Sequence, residues 1–294
     1  MRRGSRISHD SLVWLASERR RRLISTLYLC ATPIGNLGDV SERLADVLRA
    51  VDIVYAEDTR RTSTLLRFVD SDRPVRSYFV GNESYRSAEL VERLTDGQNI
   101  ALVTDAGTPA VADPGVTAVA AAVQAGATVT VIPGPSAVTA ALAVSGFGGD
   151  RFVFEGFLPR RGDERRARAT EIAGETRPIV LFCSPRRVVD DLSLLSEEAG
   201  GDRRVCVCRE LTKQFEEIYR GTIDEAIEHW TATQPRGEFT VVIDGAPTAT
   251  ELSLEQAIER ARLLVEAGAS KSEAARQVAS ESSFSKKPIY DALI

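Results

Sequence analysis

Between residues 27 and 145 the chain repeats one pattern five times. A short apolar run of strand length is followed by a polar loop and then by a segment of helical length. Strands are predicted at residues 27–31, 53–56, 75–80, 100–104 and 128–132. Helices are predicted at 40–49, 61–68, 87–95, 116–125 and 136–145. A helix between successive strands is the usual crossover of a parallel sheet, so the rhythm predicts a mostly parallel α/β sheet with helices on both faces. The stretch Gly146-Phe147-Gly148-Gly149-Asp150 interrupts it, and such glycine spacing marks a boundary. Beyond it, strands are predicted at 152–155, 179–183, 205–208, 216–219 and 239–244, and helices at 164–172 and 187–198. A helical tail follows, with helices at 254–267 and 272–279. A chain of 294 residues is long for one core and suggests two domains. The predicted division is a basic N-terminal extension at 1–25, α/β domains at 26–147 and 148–246, and the tail at 247–294.

Charge and composition exclude several function classes. No run of about 18 apolar residues is present, so no membrane span is predicted. Residues 1–22 are polar and Arg-rich with no apolar core, unlike a secretory signal. A disordered leader is expected there, with an RNA-touching basic arm as the alternative. The net charge of −5 argues against non-specific coating of nucleic acid, though not against a local basic face. Cys30, Cys183, Cys206 and Cys208 lie in or beside strand-like runs and lack paired C-x-x-C spacing. Buried reduced thiols in a cytoplasmic protein are expected. His9 and His229 are the only histidines, and neither is placed for a catalytic triad or a metal site. No metal is predicted.

Open parallel sheets bind ligands beyond the carboxyl ends of their strands. The loops there are Thr32-Pro33-Ile34-Gly35-Asn36-Leu37-Gly38-Asp39, Glu57-Asp58-Thr59-Arg60-Arg61, residues 105–115, and Pro133-Gly134-Pro135-Ser136. One such loop reads as a tight turn; four at one edge read as a cleft. The P-loop and G-x-G-x-x-G signatures are absent, and the loops are poor in lysine, which disfavours triphosphates and dinucleotides. Backbone donors, threonines and carboxylates suit a small zwitterion with an adenosine part.

Taken together these segments resemble the small-subunit ribosomal RNA cytidine 2′-O-methyltransferases of the tetrapyrrole methylase superfamily. The resemblance rests on T-P-I-G-N-L-G-D at 32–39, A-E-D-T-R-R-T at 56–62, D-A-G-T-P at 105–109 and D-P-G at 113–115. It continues through P-G-P-S-A at 133–137, E-G-F-L-P-R at 155–160, R-E-L-T-K at 209–213 and R-G-E-F at 236–239. It implies two α/β domains with S-adenosyl-L-methionine in the cleft between them, a homodimer, and a decoding-centre cytidine of small-subunit rRNA as substrate. It places cofactor contacts on Thr32 and Pro33, on Asp105, Ala106, Gly107, Thr108 and Pro109, on Asp113 and Gly115, and on Pro133, Gly134, Pro135 and Ser136. The pattern departs at Phe79 and Gly81, where many relatives carry histidines, and at Cys183, where a glutamate is common.

A sulfonium methyl group is already activated, so the enzyme must align the 2′-oxygen and accept its proton. Glu57 and Asp58 are the first candidates for that role. The alternative is that Asp58 caps a helix and Glu57 pairs with an arginine. Glu210 and Lys213 form a second candidate pair, which reads equally as a structural ion pair. Arg160, Arg161, Arg165, Arg166 and Arg168 fall within nine positions and are the candidate RNA-binding face. The tail from residue 270, with Lys286 and Lys287, reads as a helix-turn-helix module or as a packing appendage.

Overall fold

The computed structural model describes residues 25–247, 254–280, 282 and 284–293. The leader before residue 25, with His9, and the predicted start of the tail at 248–250 lie outside the described residues. Ten strands form two five-stranded sheets. The first contains β1 (Thr26–Cys30), β2 (Ile53–Ala56), β3 (Val75–Ser77), β4 (Ile100–Val103) and β5 (Thr128–Ile132), in the order β3-β2-β4-β1-β5. Every pairing in it is parallel. Helices α1 (Glu42–Ala50), α2 (Thr59–Phe68), α3 (Glu83–Thr95) and α4 (Val116–Gln124) make the crossovers. α1 starts where the Ser41 side chain accepts the Leu44 N–H at 3.1 Å. Its Leu44, Ala45 and Leu48, spaced for one helical face, enter the core above β2 and β4.

The second sheet contains β6 (Val153–Phe157), β7 (Ile179–Cys183), β8 (Arg204–Arg209), β9 (Glu217–Thr222) and β10 (Phe239–Ile243), in the order β6-β7-β10-β8-β9. Only β6 and β7 pair in parallel; the other pairings are antiparallel. The parallel sheet expected for residues 27–145 is the first of the two, and the second is mixed. β8 returns directly as β9 without a crossover helix, and β10 inserts between β7 and β8. Helices α6 (Asp163–Gly174), α7 (Val188–Ala199) and α8 (Ile223–Thr233) cover one face of this sheet. α8 opens with a reciprocal capping box between Thr222 and Glu225.

The other face of the second sheet is covered by α5 (Ala137–Ser145), which follows β5 of the first sheet. Its sequence AVTAALAVS is almost wholly apolar. Val138, Ala141 and Leu142 pack with Val180, Cys206, Cys208 and Val242. Cys206 and Cys208 do share one strand face, with their sulfurs 3.8 Å apart, and all four cysteines are buried and free. The chain leaves α5 through Gly146, whose left-handed φ of 80° ends the helix. Position 147/148 lies between α5 and β6, after a helix that already packs on the second sheet. Helices α9 (Leu254–Glu266), α10 (Lys271–Ser280) and α11 (Lys286–Asp291) form a bundle with its own core of Ala257, Ala261, Ala274, Ala275, Val278 and Ile289.

One buried cation ties the second half together. Arg203 donates to the carbonyls of Asp244 (2.8 Å), Ala173 (2.7 Å) and Glu175 (3.0 Å). It joins the end of α6, the start of β8 and the exit of β10. Arg203→Met keeps the apolar stem but removes this donor from the Asp244 and Ala173 carbonyls, while Glu175 keeps the Ala246 N–H at 2.7 Å. Urea denaturation should show a loss of about 2–4 kcal/mol.

Candidate active site

The strand order of the first sheet decides which loops meet. β1 lies between β4 and β5, and β2 flanks β4. The loops after β2, β4, β1 and β5 therefore stand side by side along one edge. They are cross-linked. Thr32 and Gly107 exchange backbone hydrogen bonds of 2.8 and 3.1 Å, and the Thr32 hydroxyl donates to the Thr104 carbonyl at 3.1 Å. The Asp58 N–H donates to Asp105 Oδ1 at 2.9 Å, and Arg61 lies 3.5 Å from Asp105 Oδ2. From α3, Glu83 Oε1 accepts the Gly115 N–H at 3.0 Å and so fixes the end of the 105–115 loop.

Between these loops and the second sheet lies a cavity of about 390 Å³. One end is acidic, formed by Glu57, Asp105 and Asp113, with Arg61 beside them. The opposite wall is apolar and comes largely from the second half: Phe157, Phe182, Leu211 and Phe239, joined by Val138 of α5. The two halves supply this wall through strained backbone. Ala110 and Ala112 have φ of 68° and 60°, which leaves Val111 and Asp113 on the cavity. Glu210 and Thr212 have φ of 52° and 67° on either side of Leu211. Non-glycine residues in the left-handed region are costly and cluster at functional sites.

The acidic end is electrostatically crowded. The Thr104 hydroxyl donates to Glu57 Oε2 at 3.0 Å. Burial pushes the Asp113 carboxyl up to about 6. A hydrogen bond with Thr104 opposes this, while the charges of Glu57 and Asp105 add to it.

The residues expected from sequence divide as follows. Asp105, Ala106, Gly107, Thr108, Asp113 and Ser136 line the cavity, as does Glu57. Gly107 has φ of +85°, and a Cβ there would have only Ile34 within 4 Å, on the cavity side. Thr32 and Pro33 instead line an adjoining recess of about 270 Å³, which shares Arg61 and Asp105 with the main cavity. Pro109, Gly115, Pro133, Gly134 and Pro135 line neither. A Cβ on Gly134 would meet Ala31 Cβ and O at 3.1 Å, so this glycine serves the close packing of the β5 loop on β1. Asp58 takes its capping alternative. It accepts the Arg60 N–H at 2.8 Å and both arms of the Arg60 guanidinium. Those bonds lower its carboxyl to about 2, and it does not line the cavity. Glu57 pairs with Thr104 rather than with an arginine.

Glu210 and Lys213 form an ion pair of 2.8 Å, and Lys213 also reaches Glu238 at 2.9 Å. Burial pushes Glu210 up, but the bonds from Lys213 and from the Glu238 N–H outweigh it and hold the carboxyl below its ordinary range. The Lys213 stem lies over Gly35 and the Glu210 side chain over Gly237, each where a Cβ would stand. The pair thus presses the second half onto the β1 loop, and it is Leu211 between them that reaches the cavity.

The arginine cluster also divides. Arg165 binds Asp191 at 2.8 Å, Arg166 binds Glu197 and Glu198, and Arg168 binds Glu155 and Glu171. These three hold α6 to its neighbours and are not a free cationic face. Arg160 and Arg161 are exposed and have no ion-pair partner among the described residues. Sequence reading did not single out Phe157, Phe182 or Leu211. Phe157 and Leu211 fall inside quoted motifs, whereas Phe182 sits in an ordinary apolar strand, which offers no signal that a side chain faces a cavity rather than core.

The sequence matches the family described as Tetrapyrrole (Corrin/Porphyrin) Methylases over residues 26–227. Ribosomal RNA small subunit methyltransferase I of Synechocystis sp. is 43% identical over 269 residues, covering 90% of this chain and 95% of that protein. The protein of the same name from Mycobacterium tuberculosis is 43% identical, covering 91% and 94%. That from Thermotoga maritima is 44% identical over 219 residues, covering 74% of this chain and 98% of its own. Among solved structures, a cobalt precorrin-4 methyltransferase superposes with a TM-score of 0.60 at 17% identity, covering 76% of this chain and 95% of its own. A diphthine synthase superposes at 0.55 and 16%, covering 75% and 90%. With two thirds of its length matched by the family and relatives above 40% identity over nine tenths of it, the chain belongs to the tetrapyrrole methylases, in the group of ribosomal RNA small subunit methyltransferases I.

Proposed function

We propose that the protein transfers a methyl group from S-adenosyl-L-methionine to the 2′-hydroxyl of a cytidine ribose in small-subunit (16S) rRNA. The observation that carries this reading is the polarity of the cavity between the two sheets. Its acidic end suits a sulfonium and an ammonium and repels phosphates. The deeper part of its apolar wall, Leu211, Phe239 and Val138 with Phe182, suits an adenine ring. The names of the relatives supply the substrate class.

When bound, the cofactor supplies an electrophilic methyl group on a cationic sulfur. The chain does the rest. Gly107 and its neighbours let backbone approach the ligand closely, and Leu211, Phe182 and Val138 exclude water from the apolar wall. Glu57 and Asp113, on either side of the Thr104 hydroxyl, are the groups placed to take the ribose proton. Asp113 is the better matched of the two, because a carboxyl raised to about 6 is still ionised at neutral pH yet is a stronger base than an exposed aspartate. Arg160 and Arg161 bind phosphates beside the cavity. A homodimer belongs to the same reading. It is supported by the exposed apolar side chains of Phe79, Val80 and Tyr85 on one short segment. We also infer a cytoplasmic location, which agrees with the free buried cysteines. No helix among the described residues is long and apolar enough to cross a membrane.

The decisive experiment incubates the protein with methyl-labelled cofactor and small ribosomal subunits that lack the modification, then maps the label. Label on a cytidine 2′-oxygen is expected; label only on a porphyrinoid offered in parallel would defeat the reading.

Asp113 makes a two-part pH prediction. The single-turnover rate should rise with pH through about 6 and then level, and Asp113→Asn should lower the plateau about 100-fold or more. Stability should move the opposite way. A carboxyl whose folded pKa is raised binds its proton more tightly when folded, so ionising it between about pH 4 and 6 destabilises the wild type. Asp113→Asn should therefore gain roughly 1–2 kcal/mol at pH 8, after allowance for water screening of a half-buried group, and nothing at pH 4. Equal stability of the two proteins at both pH values would remove the basis for the assignment.

The RNA face is tested on its two exposed arginines, which have no ion-pair partner among the described residues. Arg160→Glu with Arg161→Glu should lower transfer at least tenfold and flatten the log–log salt dependence by about two. Cofactor affinity measured by calorimetry should stay within about twofold, since a 1.4 kcal/mol effect would already be tenfold.

A further inference from the structure

The edge strand β6 contains an irregularity that aims one side chain. Along its parallel pairing with β7, Val153 lies opposite Ile179 and Phe154 opposite Val180. Gly156 then lies opposite Leu181 and Phe157 opposite Phe182. Glu155 is the extra residue of a β-bulge, and the next position, Gly156, has φ of +70°. In a regular strand, residues 154 and 157 would point to opposite faces. The bulge puts them on the same face. Both rings meet Phe182, at centroid distances of 5.1 Å for Phe154 and 5.5 Å for Phe157. Glu155 is turned the other way and binds Arg168 of α6 at 2.9 Å.

Phe157 is thereby brought to the mouth of the cavity and is still 57% exposed. The other two lining aromatics sit deeper: Phe182 is half-buried and Phe239 is 2% exposed. The segment that carries Phe157 is held firmly. Arg187 donates to the carbonyls of Leu158 at 3.2 Å and Pro159 at 2.9 Å. Its guanidinium is anchored at 2.9 Å by Asp191, which is 2% exposed and is also bound by Arg165. Leu158 is buried on the opposite side, in the core under α6 and α7. Immediately beyond come Arg160 and Arg161, which are exposed and have no carboxylate partner among the described residues.

Single exposed apolar side chains are common on this surface; Phe157 differs in lining the cavity, in being aimed there by a bulge and in standing beside two exposed cations. The proposed reaction supplies the occupant. The methyl donor of that reaction lies inside the cavity, and a nucleotide that enters the mouth to bring its ribose there leaves its stack. Leaving costs stacking energy, which an aromatic platform returns. The two cations next to the ring match the phosphates on either side of such a nucleotide.

We propose that Phe157 is the platform on which the base of the target nucleotide stacks, with Phe182 behind it and Arg160 and Arg161 on the flanking phosphates. This rests on the RNA 2′-O-methylation reading above. It gives the bulge in E-G-F-L-P-R a purpose, which is to hold a π-face at the cavity mouth before RNA arrives.

The test compares Phe157→Ala, Phe157→Leu and Phe157→Trp with the wild type in methyl transfer to unmodified small subunits. Cofactor affinity is measured by calorimetry without RNA, and thermal stability in parallel. Alanine and leucine should both lower kcat/KM about tenfold or more, because leucine restores bulk but offers no π-face. Tryptophan should stay close to the wild type. Cofactor affinity and melting temperature should be unchanged in all three variants. Full activity of the leucine variant would reduce Phe157 to apolar packing and overturn the proposal. So would a loss of cofactor affinity in the alanine variant equal to its loss of transfer, since the ring would then belong to the cofactor's own wall. If the wild type places no methyl on subunit RNA, the reading beneath the proposal fails and the proposal with it. If the wild type does so and all three variants match it, only the platform fails.

Discussion

Helix α5 is the part on which the rest of the molecule hangs. It leaves the first sheet through Pro133-Gly134-Pro135 and then buries its apolar face on the second sheet, against Val180, Cys206, Cys208 and Val242. Its buried residues Val138, Ala141, Leu142 and Ser145 form one face, while Thr139 and Ala143 are exposed. That face packs on the second sheet, so a helix that follows β5 in the chain ties the first half to the second by its packing. Its N-terminal residues Ser136, Ala137 and Val138 are also cavity wall. The contact that joins the halves is thus the contact that shapes the site. The Lys213–Glu210–Glu238 cluster against Gly35 acts at the other side of the same seam.

The site pays for its shape in backbone conformation. Four non-glycine residues with positive φ flank the cavity, in pairs on either side of Val111 and of Leu211. The first pair leaves Val111, Ala112 and Asp113 on the cavity lining, and the second leaves Leu211 there. The same logic recurs at β6, where a bulge rather than a left-handed residue pair does the aiming. Three carboxylates then share one end of an otherwise apolar space, and the resulting mutual repulsion is tolerated because it disfavours anions and favours a cationic guest.

Much of the architecture was legible because the strands are runs of β-branched and aliphatic residues between glycine and proline signals. Residues 53–56 and 128–132 match β2 and β5. The third strand is shorter than its apolar sequence suggests, because Phe79 and Val80 are exposed residues of the loop that leads to α3. The antiparallel order of the second sheet was hidden, since strand spacing does not reveal that β10 enters between β7 and β8. The loops of the candidate site could be read from their polar residues at strand ends. Their division of labour could not: the Asp58 cap, the packing role of Gly134 and the carboxylate partners of Arg165, Arg166 and Arg168 all depend on groups distant in sequence or on local backbone geometry. Arg166, for example, meets Glu197 and Glu198 about thirty positions later.

The strand order has a consequence for how the chain reaches this state. β1 is the first strand to be made, yet its two neighbours are β4, whose Ile100 pairs with Leu27, and β5, whose Thr128 pairs with Thr26. During synthesis β1 must wait with one edge unpaired for about seventy further residues, until β4 has emerged, and with the other for about a hundred, until β5 has. Pairings so distant along the chain are slow to form and leave edges open to wrong partners. The second sheet repeats the problem, because its central strand β10 is the last of the ten to appear. A nascent chain halted before residue 239 has every loop of the candidate site already translated but lacks the central strand that the second sheet needs to close over them.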